Sequence, residues 1–270
     1  MNPNKELWEK GDFTQIAATM RKSGEDLVGK LFVTKGLKVL DLGCGDGTTA
    51  IPAARLGAIV SGVDISSNLV KAGNIRANAE GLTQCVFSEG DASDLHALKN
   101  DSFDLVVSIF GAMFAPRPFD VAKEMVRVTV PGGRIVMGNW IPGDPTLVAQ
   151  ILKISSAYMP PPPENFLSPM LWGIEANVIE RFTKAGITKE NISFTKETFS
   201  FETDYSTDEY VKVFKNFYGP TMNAFEAAGK NNKSQELQQE LEKLFRSQNL
   251  QNSGMTAHIN ANFLMVQVIK

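Results

Sequence analysis

Three carboxylates and a run of glycines carry the chemistry this chain can do. The segment Lys38-Val-Leu-Asp-Leu-Gly-Cys-Gly-Asp-Gly47 ends an aliphatic stretch on Asp41 and enters a loop with glycine at 43, 45 and 47. Without a Cβ, glycine reaches positive φ at little steric cost and lets the backbone lie against a ligand. A loop built for a pyrophosphate would read G-x-G-x-x-G, whereas this one reads G-x-G-x-G behind an acid that repels phosphate and attracts a cation. Such a loop suits a nucleoside bearing an ammonium and a sulfonium, and S-adenosylmethionine bears both. Asp64 closes the run Ala58-Ile-Val-Ser-Gly-Val-Asp about 20 residues after the glycines, where an acid can bond ribose hydroxyls. Taken alone it reads equally as a helix N-cap. Asp91, followed by Ala92, closes Cys85-Val-Phe-Ser-Glu-Gly-Asp; it can accept from an adenine amino group while a backbone N–H meets the ring, and alone it is only a turn residue.

The elements that must position these acids follow from hydrophobic periodicity. Strand-like runs alternate with helical patterns from residue 37 to about 140, which predicts a parallel sheet with helices on both faces. A fourth strand is expected at Phe103-Asp-Leu-Val-Val-Ser-Ile-Phe, then a helix from Ala122, a Pro-Gly-Gly turn and a fifth strand. After Trp140 the character changes. Ile141-Pro-Gly-Asp-Pro opens an irregular stretch, a short apolar helix runs from Thr146 to Tyr158, and Met159-Pro-Pro-Pro-Pro163 forms a stiff polyproline segment, read as a rigid loop rather than a docking motif. A helix over 175–184, a strand near 192–201 and a last strand over 259–269 complete the sheet. Between those two strands a helical pair is expected. Ser206-Thr-Asp-Glu209 is a capping box, and Tyr210, Val213, Phe214, Phe217 and Tyr218 share one face of a single helix. That face reads as ordinary core or as a substrate wall.

Order and spacing over about residues 35 to 142 resemble the class I S-adenosylmethionine-dependent methyltransferases. Trp8, Gly11-Asp-Phe, Phe110-Gly-Ala-Met-Phe-Ala-Pro, Gly138-Asn-Trp and Leu171-Trp-Gly are similar to a bacterial subgroup of small-molecule enzymes related to quinone and sterol C-methyltransferases. The resemblance implies a Rossmann-like, seven-stranded, mostly parallel sheet with helices on both faces, the last strand antiparallel, and a helical lid. It implies one domain, with 1–34 as an N-terminal helical cover, 35–142 as the cofactor core, 143–173 and 204–252 as lid insertions, and 174–203 with 255–270 completing the sheet. Expected cofactor contacts are Asp41, Gly43, Cys44 and Gly45 of the loop, Asp64 and Ile65, Asp91 and Ala92, Ser108 and Phe110, and Phe13 as a cover beside Ile16. Expected acceptor contacts are Phe114, Asn139, Trp140 facing the methyl, Trp172, Phe214 and Tyr218. The many aromatic and Met side chains of the later segments suit a small, aromatic or apolar methyl acceptor, taken up by a monomer or homodimer. The resemblance itself names the cofactor rather than the acceptor.

Composition excludes several other classes. With 270 residues, 43% hydrophobic and 21% charged, the chain can bury one sizeable core. A net charge of −3 without a dense basic cluster predicts no nucleic-acid partner. No apolar run is long enough to span a bilayer, and Met1-Asn-Pro-Asn-Lys-Glu lacks the core of a signal peptide, so a cytoplasmic location with reduced Cys44 and Cys85 is expected. His96, on an expected surface helix, and His258 read as structural or exposed, and their spacing predicts no metal site. Tyr158, Tyr205 and Tyr218 could polarise an acceptor hydroxyl. The rival readings are a cofactor-binding protein without catalysis and an NAD-dependent oxidoreductase, which would need its third glycine one position later.

Overall fold

Aliphatic runs bounded by glycine and acid become strands. These are β1 (Lys38–Leu42), β2 (Ile59–Asp64), β3 (Cys85–Glu89), β4 (Phe103–Ile109), β5 (Thr129–Trp140), β6 (Ile192–Thr203) and β7 (Ala257–Ile269). They form one sheet in the order β3-β2-β1-β4-β5-β7-β6. The first five pair in parallel, and β7 is antiparallel to both β5 and β6, so the last strand is reversed as expected. β1, in the middle, is buried over all but its first residue, as a strand covered on both faces must be. The structure is a computed structural model describing residues 5–164, 166–251 and 255–270. The signal-peptide reading at Met1 to Asn4, the start of the expected N-terminal cover, Asn165, and Asn252 to Gly254 lie outside the described residues.

Helices cover the sheet. α1 (Lys5–Glu9), α2 (Thr14–Ala18) and α3 (Arg21–Gly29) precede it, followed by α4 (Ala50–Arg55), α5 (Ser67–Ala79), α6 (Pro118–Val128), α7 (Leu147–Ala157) and α8 (Glu175–Lys184). α4 and α5 pack on β2 and β3, α6 on β5 and α3 on β6. Among the described residues no helix is long and apolar enough to cross a membrane.

Three local expectations need correction. The segment between β6 and β7 holds not a pair but three helices, α9 (Thr207–Phe217), α10 (Gly219–Lys230) and α11 (Ser234–Gln248). The capping box at Ser206 and Glu209 forms, but the apolar face does not continue through one helix. Tyr218 is extended, at φ −97° and ψ 106°, and Pro220 opens α10 in its first turn, because proline pre-sets the helical φ there and needs no N–H partner. The Pro-Gly-Gly segment lies inside β5, where the pairing with β4 shifts register from Phe103↔Thr129 to Leu105↔Arg134. His96 lies on no helix, because Asp91 and Asp94 bond backbone N–H groups two residues on, those of Ser93 and His96, and so favour turns.

Candidate active site

β1 delivers Asp41 between Gly62 of β2 and Val107 of β4, beside a cavity of about 960 Å³ counting its open mouth. Asp41 is 2% exposed and its Oδ2 has no hydrogen-bond partner. Burial first, then the like charge of Asp64, push the carboxyl up to about 8, against the pull of an Ala50 N–H. A buried acid with an orphan oxygen costs free energy until a donor meets it. The loop that follows Asp41 is packed too closely for a side chain at its first glycine. Gly43 has φ +69°, and a Cβ there would lie 2.6 Å from Gly111 Cα. A Cβ on Gly111 would in turn lie 2.3 Å from the Gly43 oxygen. Two loop backbones, after β1 and after β4, thus touch glycine to glycine at the floor of the cavity. Ser108 secures the contact, donating to the Leu42 carbonyl at 2.6 Å and accepting from the Ala112 N–H at 2.9 Å.

Asp64 closes the other side of the loop. It accepts from the N–H of Gly45 at 2.8 Å and of Ser66 at 2.9 Å, and burial nonetheless raises its pKa above the ordinary carboxylate value. Asp46, buried at 2%, is held from outside: Arg21 of α3 donates to both its carboxylate oxygens and to Thr48, and Arg76 of α5 donates to its backbone carbonyl at 2.5 Å. Two guanidiniums therefore brace the loop without pointing a positive charge at Asp41.

The opposite wall is aromatic. Trp8, Phe13, Phe110, Phe114 and Phe199 line it with Ala17 and Met20. Phe110 adopts φ +60°, a conformation a bulky residue rarely takes, with its ring stacked on Trp140 at 3.6 Å and its edge meeting Phe199 at 5.1 Å. Trp8 packs edge-on against Phe114 at 4.9 Å and Phe13 at 5.8 Å. This cover is pinned at both ends. Glu9 accepts from the Ser67 N–H, and Gly11 approaches the Phe217 carbonyl so closely that a Cβ would stand 2.5 Å from it.

The methyltransferase-domain family model matches residues 40–137, which span β1 to β5 and hence the acid, the glycine loop and Asp64. Solved structures agree on the fold: Haemonchus contortus phosphoethanolamine N-methyltransferase 2, in complex with phosphomonomethylethanolamine and S-adenosylhomocysteine, superposes with a TM-score of 0.61 at 18% identity over 100% of this chain and 61% of that one. An uncharacterized protein of Mycobacterium tuberculosis is 33% identical over 225 residues, 82% of this chain and 79% of its own length. The chain belongs to the class I S-adenosylmethionine-dependent methyltransferases. A demethylmenaquinone methyltransferase of Geobacillus kaustophilus is 37% identical over 115 residues, 42% of this chain and 49% of that one.

The cofactor of this methyltransferase is S-adenosylmethionine, and the residues present fit it. Asp41 has a buried, unpartnered Oδ2 that an ammonium could meet, and Asp64, which accepts from the Gly45 and Ser66 N–H groups, lines the same cavity. Of the residues singled out from sequence, Phe13, Asp41, Gly43, Cys44, Gly45, Asp64, Ile65, Ala92, Phe110 and Phe114 line one cavity. Others stand behind its wall. Asp91 turns to its own loop, accepting from the Ser93 N–H at 2.8 Å. Ser108 ties the loops, and Trp140 backs Phe110. Asn139 is fully buried with both polar atoms unpartnered. Trp172 packs against Phe182 with Arg181 over its ring, and Phe214 sits among Tyr210, Tyr218 and Phe245. Tyr218 touches the cover through Trp8 and Phe13. Cys44 and Cys85 are free and buried. Sequence reasoning passed over Asp46, Met20, Gly111 and Phe199, which reach the cavity or its floor. Gly111 carried a signal, glycine straight after a strand end, whereas Phe199 looked like any alternating strand residue.

Proposed function

We propose that this methyltransferase acts on a small, flat, aromatic or apolar metabolite, by in-line displacement with catalysis mainly by positioning. The observation that carries the reading is the make-up of the cavity lining: buried carboxylates, glycines and five aromatic rings, and no Lys, Arg, His or Tyr among its described residues. A phosphorylated acceptor like that bound in the Haemonchus complex would need a cation to hold it, and this wall offers none. The relation to the demethylmenaquinone enzyme supports a quinol-like ring. When bound, the cofactor supplies an electrophilic methyl on a good leaving group. The chain's residues then hold the two reactants in line and exclude water, with Trp8, Phe13 and Phe114 as the cover and Phe110 against Trp140 as a rigid backstop.

The tyrosines do not supply a base at the wall. Tyr158 donates to Glu240 at 2.8 Å, Tyr205 is exposed and Tyr218 lies behind the cover. Histidine is equally distant in role, since His96 is exposed and pairs with Asp94. With no Tyr or His among the cavity's described lining residues, the reading favours an acceptor that brings its own activated nucleophile, such as a phenolate oxygen or the ring carbon of a quinol. Incubation with S-adenosylmethionine and a panel of quinols, naphthols, aliphatic amines and phosphorylated amines, read by mass spectrometry for a methyl gain, tests this. Gain on the flat phenolic compounds is expected. Gain confined to the charged amines would refute the reading.

A further inference from the structure

We propose that Asp41 carries a proton in the free enzyme and loses it when the ammonium of the cofactor binds, so that cofactor binding releases a proton to solvent. The proposal rests on the cofactor assignment and adds to it a linkage that the glycine motif does not contain. Its basis is the surroundings of one carboxyl. Asp41 is 2% exposed, its Oδ2 is unpartnered, and it faces the cavity. From β2 the group facing it is another acid, Asp64. The loop adds Cys44 and β3 adds Cys85, thiols whose own pKa values burial raises, so both stay uncharged. α4 offers only the N–H of Ala50, and β4 offers Ser108, whose hydroxyl is given to the Leu42 carbonyl. The nearby guanidiniums, Arg21 of α3 and Arg76 of α5, are committed to Asp46. Among the described residues no cation balances Asp41, and a lone buried carboxylate beside a second one is avoided by holding a proton. The direction of its pKa agrees, raised to about 8.

The balance is simple. Before binding, the pair is a carboxylic acid and a solvated ammonium; afterwards it is a carboxylate against an ammonium, the O–H bond having broken and its proton having gone to a buffer base. An Asp41 that is mostly protonated at neutral pH cannot offer the charge without this loss, so affinity should rise with pH until the free enzyme has already lost the proton.

Titration calorimetry of the full chain with S-adenosylhomocysteine at pH 7, in phosphate and in Tris, tests the proposal, because these buffers take up a proton with different heats. With the pKa near 8, about nine-tenths of a proton should be released per site, and affinity should rise by about tenfold per pH unit between about pH 6 and 7.5. Tight binding with equal heats in the two buffers overturns the proposal and leaves the cofactor assignment standing. No binding at all overturns both. In Asp41→Asn, binding should weaken and the buffer difference should vanish. A buffer difference that survives in that variant would assign the proton to another group, Asp64 first, and so overturn the role given to Asp41.

Discussion

The two halves of the cavity are built by opposite means. The cofactor half comes from short consecutive stretches, Asp41 to Thr49 and Val63 to Ile65, and works through backbone N–H groups, glycine conformations and buried carboxylates. The rings, which we assign to the acceptor, arrive from α1, from the start of α2, from the turn after β4 and from β6. A site made of backbone tolerates little change, since a single added Cβ meets main chain. A site made of rings can be reshaped ring by ring. That contrast can be tested directly by substitutions on each side.

The largest effect should come from Gly43→Val. The residue has φ +69°, and a Cβ meets Gly111 Cα at 2.6 Å, so a β-branched side chain is excluded twice over. Calorimetry with S-adenosylhomocysteine should show no binding, and stability should fall by about 3 kcal/mol or more. Next, Asp64→Ala should weaken cofactor binding by about 1 to 3 kcal/mol, through lost charge-assisted bonds to the ribose and a loosened Gly45 N–H; parent-like affinity in this variant would misplace the ribose. On the other wall the pattern should invert. Phe199→Leu should raise the acceptor KM by about tenfold while cofactor affinity stays within about twofold, and an equal loss on both would mean the two halves are one.

A pH effect on stability tests the carboxylate side alone. Asp41 keeps its proton in the folded chain up to about pH 8, whereas the ordinary carboxyl at 3.8 has lost it by then. Between those values the folded state holds more protons than the unfolded one, so this group's contribution to stability falls as pH rises through the window. An ion-paired carboxylate would do the reverse. Thermal melts of the free protein should therefore decline from pH 6 to about 8.5 by a few degrees, and Asp41→Asn should flatten that decline. A melt of the parent that rises over this range would contradict the burial of an uncompensated Asp41.

The seven-stranded, mostly parallel sheet and its reversed last strand could be anticipated because each rests on local patterning joined to a family likeness. Apolar runs that end on Asp41 and Asp64 mark strand ends wherever they occur. Errors clustered where local signals compete. Tyr218-Gly-Pro interrupts an apolar face that continues in register on paper, and proline prevailed over periodicity at the start of α10. Asp91 and Asp94 turned a helical-looking stretch into turns through side-chain bonds to backbone.

Residue order pointed to the loop from Asp41 to Gly45 with Asp64 and Ile65, which line one cavity because they are near neighbours in the chain, but it also named Asp91 and Ser108, which stand behind the wall. It left open which rings face the cavity. Trp140 and Phe110 are both aromatic residues at the ends of parallel strands, yet only Phe110 lines the wall, with Trp140 stacked behind it. Phe199, an ordinary inward residue of β6, reaches the same wall because β6 crosses beyond β7 and brings that residue edge-on to Phe110. Such choices depend on packing between elements distant in sequence, and packing is settled only when the whole sheet and its cover close together.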